Sequence, residues 1–436
     1  MTSRLRIVND GTAESESELA RLDARGESDF ARVEPVVREI LAAVRADGDA
    51  AVLRFAEKFD KRRPEPLHHA AYDRGALDRL PQNASDAMKR AAERIRAFHE
   101  KQLAHFISQK RFEHVDHDGV TLGWRSRPLA RVGVYAPGGK ARYPSSVLMS
   151  AIPAQVAGVR EIVLATPLAG DASDDAILAA AALSGVTSIV DAGGAQAIAA
   201  LAYGTQTIPR VDKIVGPGNL YVACAKRFVF GAVAIDSIAG PSEILVVADD
   251  EADPRFIAAD LLSQAEHDEA AYPLLVCASP SMAEAVDEEL AAQLETLPRH
   301  TIAAESLRRN GVAIVARSRA RLAELANRIA PEHLSVQTRE PEAFLAGVDS
   351  VGAAFLGPLT PEAAGDYVAG PSHVLPTGGT VRYGSPLSIL DFFAHGSVIS
   401  YSAAALEAHR QTIVELARLE GLEAHARAVE ARTSRH

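Results

Sequence analysis

From Val33, apolar residues recur at Val36, Val37, Ile40, Leu41 and Val44. This is the three-and-four spacing of one helical face, and it predicts a helix that stops at Asp47-Gly48. The spacing resumes from Ala51 to Phe59. A longer helix is predicted from Ser85, a residue type suited to an N-cap, with Met88, Ala92, Ile95 and Phe98 on one face. Residues 1–32 are polar and acidic and read as a surface lead-in, so the first 115 residues are expected to be mainly helical.

At Arg131 the texture changes to short β-rich runs, each ended by a glycine turn and followed by a helical stretch. Arg131 to Tyr135, Glu161 to Ala165, Ser188 to Val190 and Lys213 to Val215 read as strands. Helices are predicted from Val147, Ala197 and Leu220. Repeated strand-turn-helix units require a parallel sheet with helices on its faces. A second such region runs through Glu243 to Ala248, Leu274 to Cys277 and Val312 to Val315, with a helix over Phe256 to Leu262 between the first two. The prediction is an α/β protein of two Rossmann-like parallel-sheet domains, with a helical N-terminal region and a small C-terminal helical tail. Its expected boundaries are 1–32 for the lead-in, 33–130 plus 243–380 for the first α/β domain, 131–242 for the second, and 381–436 for the tail. Residues 355–379, dense in Gly and Pro, read as a functional loop.

Open sheets of this kind bind ligands outside the carboxyl ends of their strands, where the glycine turns sit. Tyr135, Gln196 and Asn219 therefore fall together at a candidate nucleotide crevice. No G-x-G-x-x-G is present, and Gly139-Lys140 lacks the rest of a P-loop. The glycines can equally serve only tight turns and close packing.

Composition narrows the function classes. With 436 residues, 47% hydrophobic and 24% charged, the chain can bury more than one core. The formal net charge of -11 is spread without a basic stripe, which argues against nucleic acid and anionic membranes as partners. The two cysteines, Cys224 and Cys277, form no CxxC and no disulfide framework, and a reducing compartment is expected. The opening segment has no apolar h-region and the chain has no long apolar run, so the expected location is cytoplasmic.

Four separated residues could form a metal site. Gln264 and His267, three apart, are expected on one helical face; Asp366 and His425 lie far downstream. Together they offer two imidazoles, a carboxylate and an amide oxygen, a set that suits zinc. Each has a plainer reading: hydrogen bonding in a cleft for Gln264 and His267, turn formation for Asp366, a surface position for His425. In Ala330-Pro-Glu-His-Leu334, Glu332 and His333 can share one cleft only at a turn or a helix start, and Pro331 favours a helix start. A helix N-terminus would lower the Glu332 pKa and burial would raise it; both readings stay open, as does that of an exposed Glu beside a capping His. Cys224 sits inside the apolar run Tyr221 to Ala225 and reads as a small buried hydrophobe, which leaves water as the nucleophile for any aldehyde oxidation.

The chain closely resembles the histidinol dehydrogenase family. The matching stretches are Gly133–Lys140 (GVYAPGGK), Tyr143–Met149 (YPSSVLM), Gly193–Ile198 (GGAQAI), Val215–Asn219 (VGPGN), Ala239–Glu243 (AGPSE), Ser263–His267 (SQAEH), Ala330–Leu334 (APEHL), His373–Gly379 (HVLPTGG) and Ser397–Tyr401 (SVISY). The resemblance implies oxidation of L-histidinol to L-histidine through the aldehyde, with two NAD consumed, by a homodimer with shared active sites and one zinc ion per subunit. It implies zinc held by Gln264, His267, Asp366 and, across the dimer, His425. Substrate contacts would add Ser242, His333, His373 and Glu420 to these four. NAD would meet Tyr135, Gln196 and Asn219, and acid–base work would fall to Glu332 and His333. One departure is Pro371-Ser372 before His373, where many relatives carry Thr-Asn. Two other functions compete: an NAD-dependent dehydrogenase of another polar alcohol, such as a sulfonated diol, and a non-catalytic two-lobed binding protein.

Overall fold

The computed structural model describes residues 4–26, 30–107, 111–138 and 143–433; Gly139 and Lys140 lie outside the described residues. Two compact units divide the chain, one of residues 1–101 and 130–392, the other of 102–129 and 393–436.

The larger unit holds two six-stranded sheets. The first runs β1 (Arg6–Asn9), β12 (Val312–Val315), β11 (Tyr272–Cys277), β10 (Glu243–Ala248), β13 (His333–Gln337), β14 (Ala353–Leu356), all parallel. The second runs β2 (His68–His69), β7 (Ser188–Val190), β6 (Glu161–Ala165), β5 (Arg131–Tyr135), β8 (Lys213–Val215), β9 (Ala234–Ile235), parallel except for β2. Without their outer strands β1 and β2, both sheets show the 3-2-1-4-5 order of a doubly wound half, reversing direction at β10/β13 and at β5/β8. The α/β reading holds, and its strand positions agree closely with the apolar runs.

Burial on both faces explains the near-continuous apolar strands. Leu245, Val247, Leu274 and Val276 pack on one side of the first sheet with Leu322 and Leu325; Ile244, Val246 and Leu275 pack on the other with Leu261, Val286 and Leu307. One face of the second sheet is covered by Val37, Ile40, Val52 and Phe55 together with Ile198, Leu201 and Val222.

Four expectations are corrected by packing. Residues 1–32 are no surface lead-in: β1 pairs with β12, and Leu19 and Leu22 of the helix Ala13–Asp23 are in the core. The helices Glu34–Asp47 and Asp49–Asp60 lie on the second sheet, not with residues 243–380. The third helix spans Gln82–Phe106, three residues earlier than expected, and Ser85 is buried inside it. Residues 355–379 contain a short helix, Glu362–Tyr367, so Asp366 is helical rather than in a loop.

In the smaller unit, β15 (Phe393–Ser400), β4 (Thr121–Pro128) and β3 (Arg111–Val115) form an antiparallel sheet, so residues 381–436 are not purely helical. Helices Ala403–Leu419 and Glu423–Thr433, separated at Gly421, pack through Val414, Ala417, Ala426 and Val429.

Candidate active site

The candidate nucleotide crevice lies where the second sheet reverses direction. A cavity of about 1000 Å³ is lined by Tyr135, Gly193, Gln196, Asn219 and, from the other half of the unit, Asp268. Tyr135 ends β5, and its hydroxyl accepts from the Gly194 N–H at 3.0 Å; burial pushes it up to about 12, so it stays a neutral phenol. Gln196 is buried in the helix Gly194–Tyr203. Asn219 caps the helix Leu220–Val229, its Oδ1 accepting from the N–H groups of Tyr221 and Val222 at 3.1 and 3.2 Å. The turn before it is fixed from both sides. Gly216 donates its N–H to Asp236 at 2.7 Å and accepts from Lys226 at 3.0 Å, while Lys226 and Asp236 form a buried ion pair. At φ 109, a Cβ on Gly216 would lie 2.2 Å from the Tyr135 carbonyl, so only glycine fits.

The chemical groups gather elsewhere, at the amino ends of β10 and β13. This is the opposite end from the one the open-sheet rule singles out. Glu332 and His333 are buried, and no helix starts there: His333 is the first residue of β13, entered through Ala330 at φ 50. The helix-start reading of Pro331 is therefore wrong. What aims both residues inward is the backbone of Glu243 across the sheet. Glu332 Oε2 accepts from the Glu243 N–H at 2.8 Å, and His333 Nδ1 lies 2.8 Å from the Glu243 carbonyl. A carbonyl only accepts, so Nδ1 carries the hydrogen and Nε2 the lone pair.

With no helix dipole, burial wins for Glu332. It raises the carboxyl well above its ordinary range, helped by the charge of Glu243. Burial lowers His333 to about 4, so its imidazole is neutral near pH 7.

His333 Nε2 stands 3.6 Å from Glu362 Oε1. Glu362 and Asp366, one helical turn apart, face the same space, and ligand atoms of His333, Glu362 and Asp366 lie within 4.8 Å of one another. His267 Nε2 is 3.8 Å from Asp366 Oδ2, and His373 Nδ1 is 3.5 Å from Oδ1. Burial disfavours the Asp366 charge, but the hydrogen bond and charge of His373, with His333 and His267, hold its pKa below the ordinary value. Glu362 is pushed up by burial and by Asp366 beside it.

Gln264 lies in the last turn of the helix Pro254–Ala265, with Oε1 buried and without a hydrogen-bond partner among the described residues. His267 falls just past that helix, so the two reach the site from a helix end rather than one regular face. A buried amide oxygen without a partner, taken with the Asp366 carboxylate and the His267 imidazole, makes a donor set that fits a divalent cation. Two candidate sets thus share Asp366: Gln264, His267 and Asp366, and the tighter His333, Glu362 and Asp366.

Ser242 precedes β10, half-buried. Ser372 anchors the loop before His373 by donating to the Met149 carbonyl at 3.1 Å, so the departure there leaves the loop fixed. Glu420 and His425 stand exposed on the smaller unit, at the end of one helix and inside the next. Cys224 and Cys277 are buried and free, as read for Cys224. Sequence reading missed Glu362, which has only a preceding proline to mark it. It also passed over Glu243, whose signal was a charge heading the otherwise apolar run Glu243–Ala248.

No helix among the described residues is long and apolar enough to cross a membrane. A profile of the histidinol dehydrogenase family matches residues 23–433. A histidinol dehydrogenase of Geobacter sulfurreducens is 49% identical over 421 residues, covering 96% of this chain and 97% of its own. One of Lactiplantibacillus plantarum is 47% identical, covering 98% and 99%. The crystal structure of histidinol dehydrogenase from Elizabethkingia anophelis superposes with a TM-score of 0.91 at 34% identity, covering 100% of this chain and 99% of that one. With the match spanning both sheets and the buried Glu332–His333 pair, the chain belongs to the histidinol dehydrogenase family.

Proposed function

We propose that this chain is a cytoplasmic, homodimeric enzyme that oxidises L-histidinol to L-histidine through L-histidinal with two NAD. The carrying observation is the buried Glu332–His333 pair facing the His267, Asp366 and His373 cluster. Asp268, adjacent to His267, lines the nucleotide crevice and so links the two regions.

Gln264, His267 and Asp366, with His425 of the partner subunit, would hold zinc. Bound there, zinc supplies coordination positions for the imidazole and amine nitrogens of histidinol and so clamps the substrate. NAD, with Tyr135, Gln196 and Asn219 around it, supplies the hydride acceptor for both oxidations. Ser242, His373 and Glu420 complete the substrate contacts.

His333 does the first proton transfer. Its neutral Nε2 takes the alcohol proton as hydride leaves the carbinol carbon, giving the aldehyde. Glu332 serves the second oxidation by taking a proton from water as it adds to the aldehyde, and the hydrate then gives hydride to the second NAD and releases its two hydroxyl protons, leaving the carboxylate. A carboxyl of raised pKa is a stronger base than an exposed one.

The test is NADH formation at 340 nm from histidinol and NAD, before and after chelation and zinc return. Two NADH per histidinol, lost on chelation and restored by zinc, are expected. Turnover of a sulfonated diol with none of histidinol would replace this reading with the paralogous dehydrogenase; histidinol binding without NADH would replace it with a binding protein.

A further inference from the structure

Glu243 has no part in the reaction as proposed, yet both acid–base residues hang from its peptide, and its own side chain is held with unusual completeness. Arg25 donates to Oε1 from Nε at 3.0 Å and to Oε2 from Nη2 at 2.8 Å, a two-pronged contact between side chains each 1% exposed. Gly378 adds its N–H to Oε1 at 2.6 Å. The same guanidinium donates to the carbonyls of Leu22, Ile329 and Ala330 at 2.7, 2.7 and 3.2 Å. Ala330 is the residue in left-handed conformation two positions before Glu332. Arg25 therefore grips the chain entering β13 and, through Glu243, the chain entering β10.

Three remote segments meet there at backbone range. A Cβ on Gly26 would lie 2.5 Å from the Gly378 carbonyl, and the Gly240 N–H donates to Thr377 Oγ1 at 2.6 Å. The segments 25–26, 240–243 and 377–378 thus form one knot behind the active site, and its only charges are Arg25 and Glu243.

We propose that the Arg25–Glu243 ion pair is a positioning device for the acid–base pair. By locking the Glu243 peptide, it fixes the direction of the Glu332 carboxylate and the hydrogen-bearing nitrogen of His333. Arg25 and Glu243 are positioning residues; neither touches the reacting atoms. The inference rests on the catalytic roles proposed for Glu332 and His333.

The physics separates this role from mere stability. Removing one member of a buried ion pair strands a charge and destabilises, whereas replacing both with apolar groups of similar volume can restore stability. Restored stability does not restore the placement of the Glu243 peptide, and a misplacement of about 1 Å costs about a hundredfold in rate.

The experiment uses the full-length, zinc-loaded enzyme with histidinol and NAD and follows kcat, both KM values, zinc content and Tm. Arg25→Lys keeps the charge but loses the fork; it should hold zinc and both KM values within about twofold of wild type, while kcat falls about tenfold. Arg25→Met should lower Tm and drop kcat about a hundredfold. The double variant Arg25→Met with Glu243→Met should regain Tm and zinc, with kcat still at least about tenfold below wild type. If the double variant recovers kcat along with Tm, or if the loss of kcat in every variant equals the loss of folded or zinc-bound enzyme, the pair is structural only and the proposal falls. Should wild-type enzyme fail to turn over histidinol, the proposed function fails instead.

Discussion

Glu332→Gln isolates the second oxidation from the first. The substitution keeps size and keeps an oxygen able to accept from the Glu243 N–H, the 2.8 Å bond that aims the side chain. The loss of stability should therefore stay at about 1 kcal/mol, the net worth of a single hydrogen bond. What disappears is the base. A positioned general base contributes about 10² to 10⁴ in rate, or about 3–5 kcal/mol of barrier, and burial has raised this one's basicity. In the proposed mechanism the first oxidation depends on His333, whose Nδ1 contact to the Glu243 carbonyl is untouched. In a single-turnover assay at 340 nm, NADH yield should fall from two to one per histidinol on the wild-type timescale. The aldehyde should be recoverable with a hydrazine trap, and the second NADH should follow at least about 10²-fold more slowly. Two NADH at the wild-type rate would show that Glu332 does not activate water and would refute the division of labour.

Four further outcomes follow from other contacts. Gln264→Ala removes the orphaned buried oxygen; zinc content by atomic emission should drop, about 10- to 100-fold in affinity, without loss of fold. Gly216→Ala pushes a methyl toward the Tyr135 carbonyl and should raise the KM for NAD or lower Tm by several degrees, and a variant identical to wild type in both would contradict the turn geometry. Cys224→Ala should retain kcat, because no thiol chemistry is assigned to this buried residue. Asp10, hydrogen-bonded by Arg321 at 2.9 and 2.8 Å, has a lowered pKa in the fold, so its stabilisation is complete above the unfolded value near about 4 and is lost as pH falls through the lower folded value. Asp10→Asn should cost about 2 kcal/mol at pH 7, and its unfolding curve should converge on wild type only below about pH 4.

The sequence was most readable where one local rule acts. Strands buried on both faces are continuous apolar runs, so Lys213–Val215 and Val312–Val315 could be placed to the residue. Tyr135, Gln196 and Asn219 could be grouped because glycine turns mark strand ends. Failure came where a distant partner overrides local preference. Arg6–Asn9 reads as polar because it is an edge strand, and only its pairing with β12 makes it part of a sheet. Pro331 suggested a helix start, but pairing with β10 and β14 makes the residues from His333 a strand. Glu362 had no local signal, since its position depends on a short helix packing near Ser263, whose hydroxyl donates to it at 3.2 Å.

The charge arrangement gives the strongest physical reason for cation chemistry here. Glu243 is balanced by Arg25, but Glu332, Glu362 and Asp366 are buried together with no lysine or arginine paired to them among the described residues. Left alone, such a group lowers its energy by holding protons, and two of the three carboxyls are driven upward accordingly. Asp366 alone is held ionised, by the imidazoles around it. A cation entering this space meets one ready anion, the imidazoles of His267, His333 and His373, and two carboxyls from which protons can be released. Histidinol carries an ammonium and a metal ion carries more charge, and either relieves the same strain. The fold therefore gathers a set of groups that favours positive charge at the amino ends of two adjacent strands, beside Glu332 and His333, the two residues proposed as general bases.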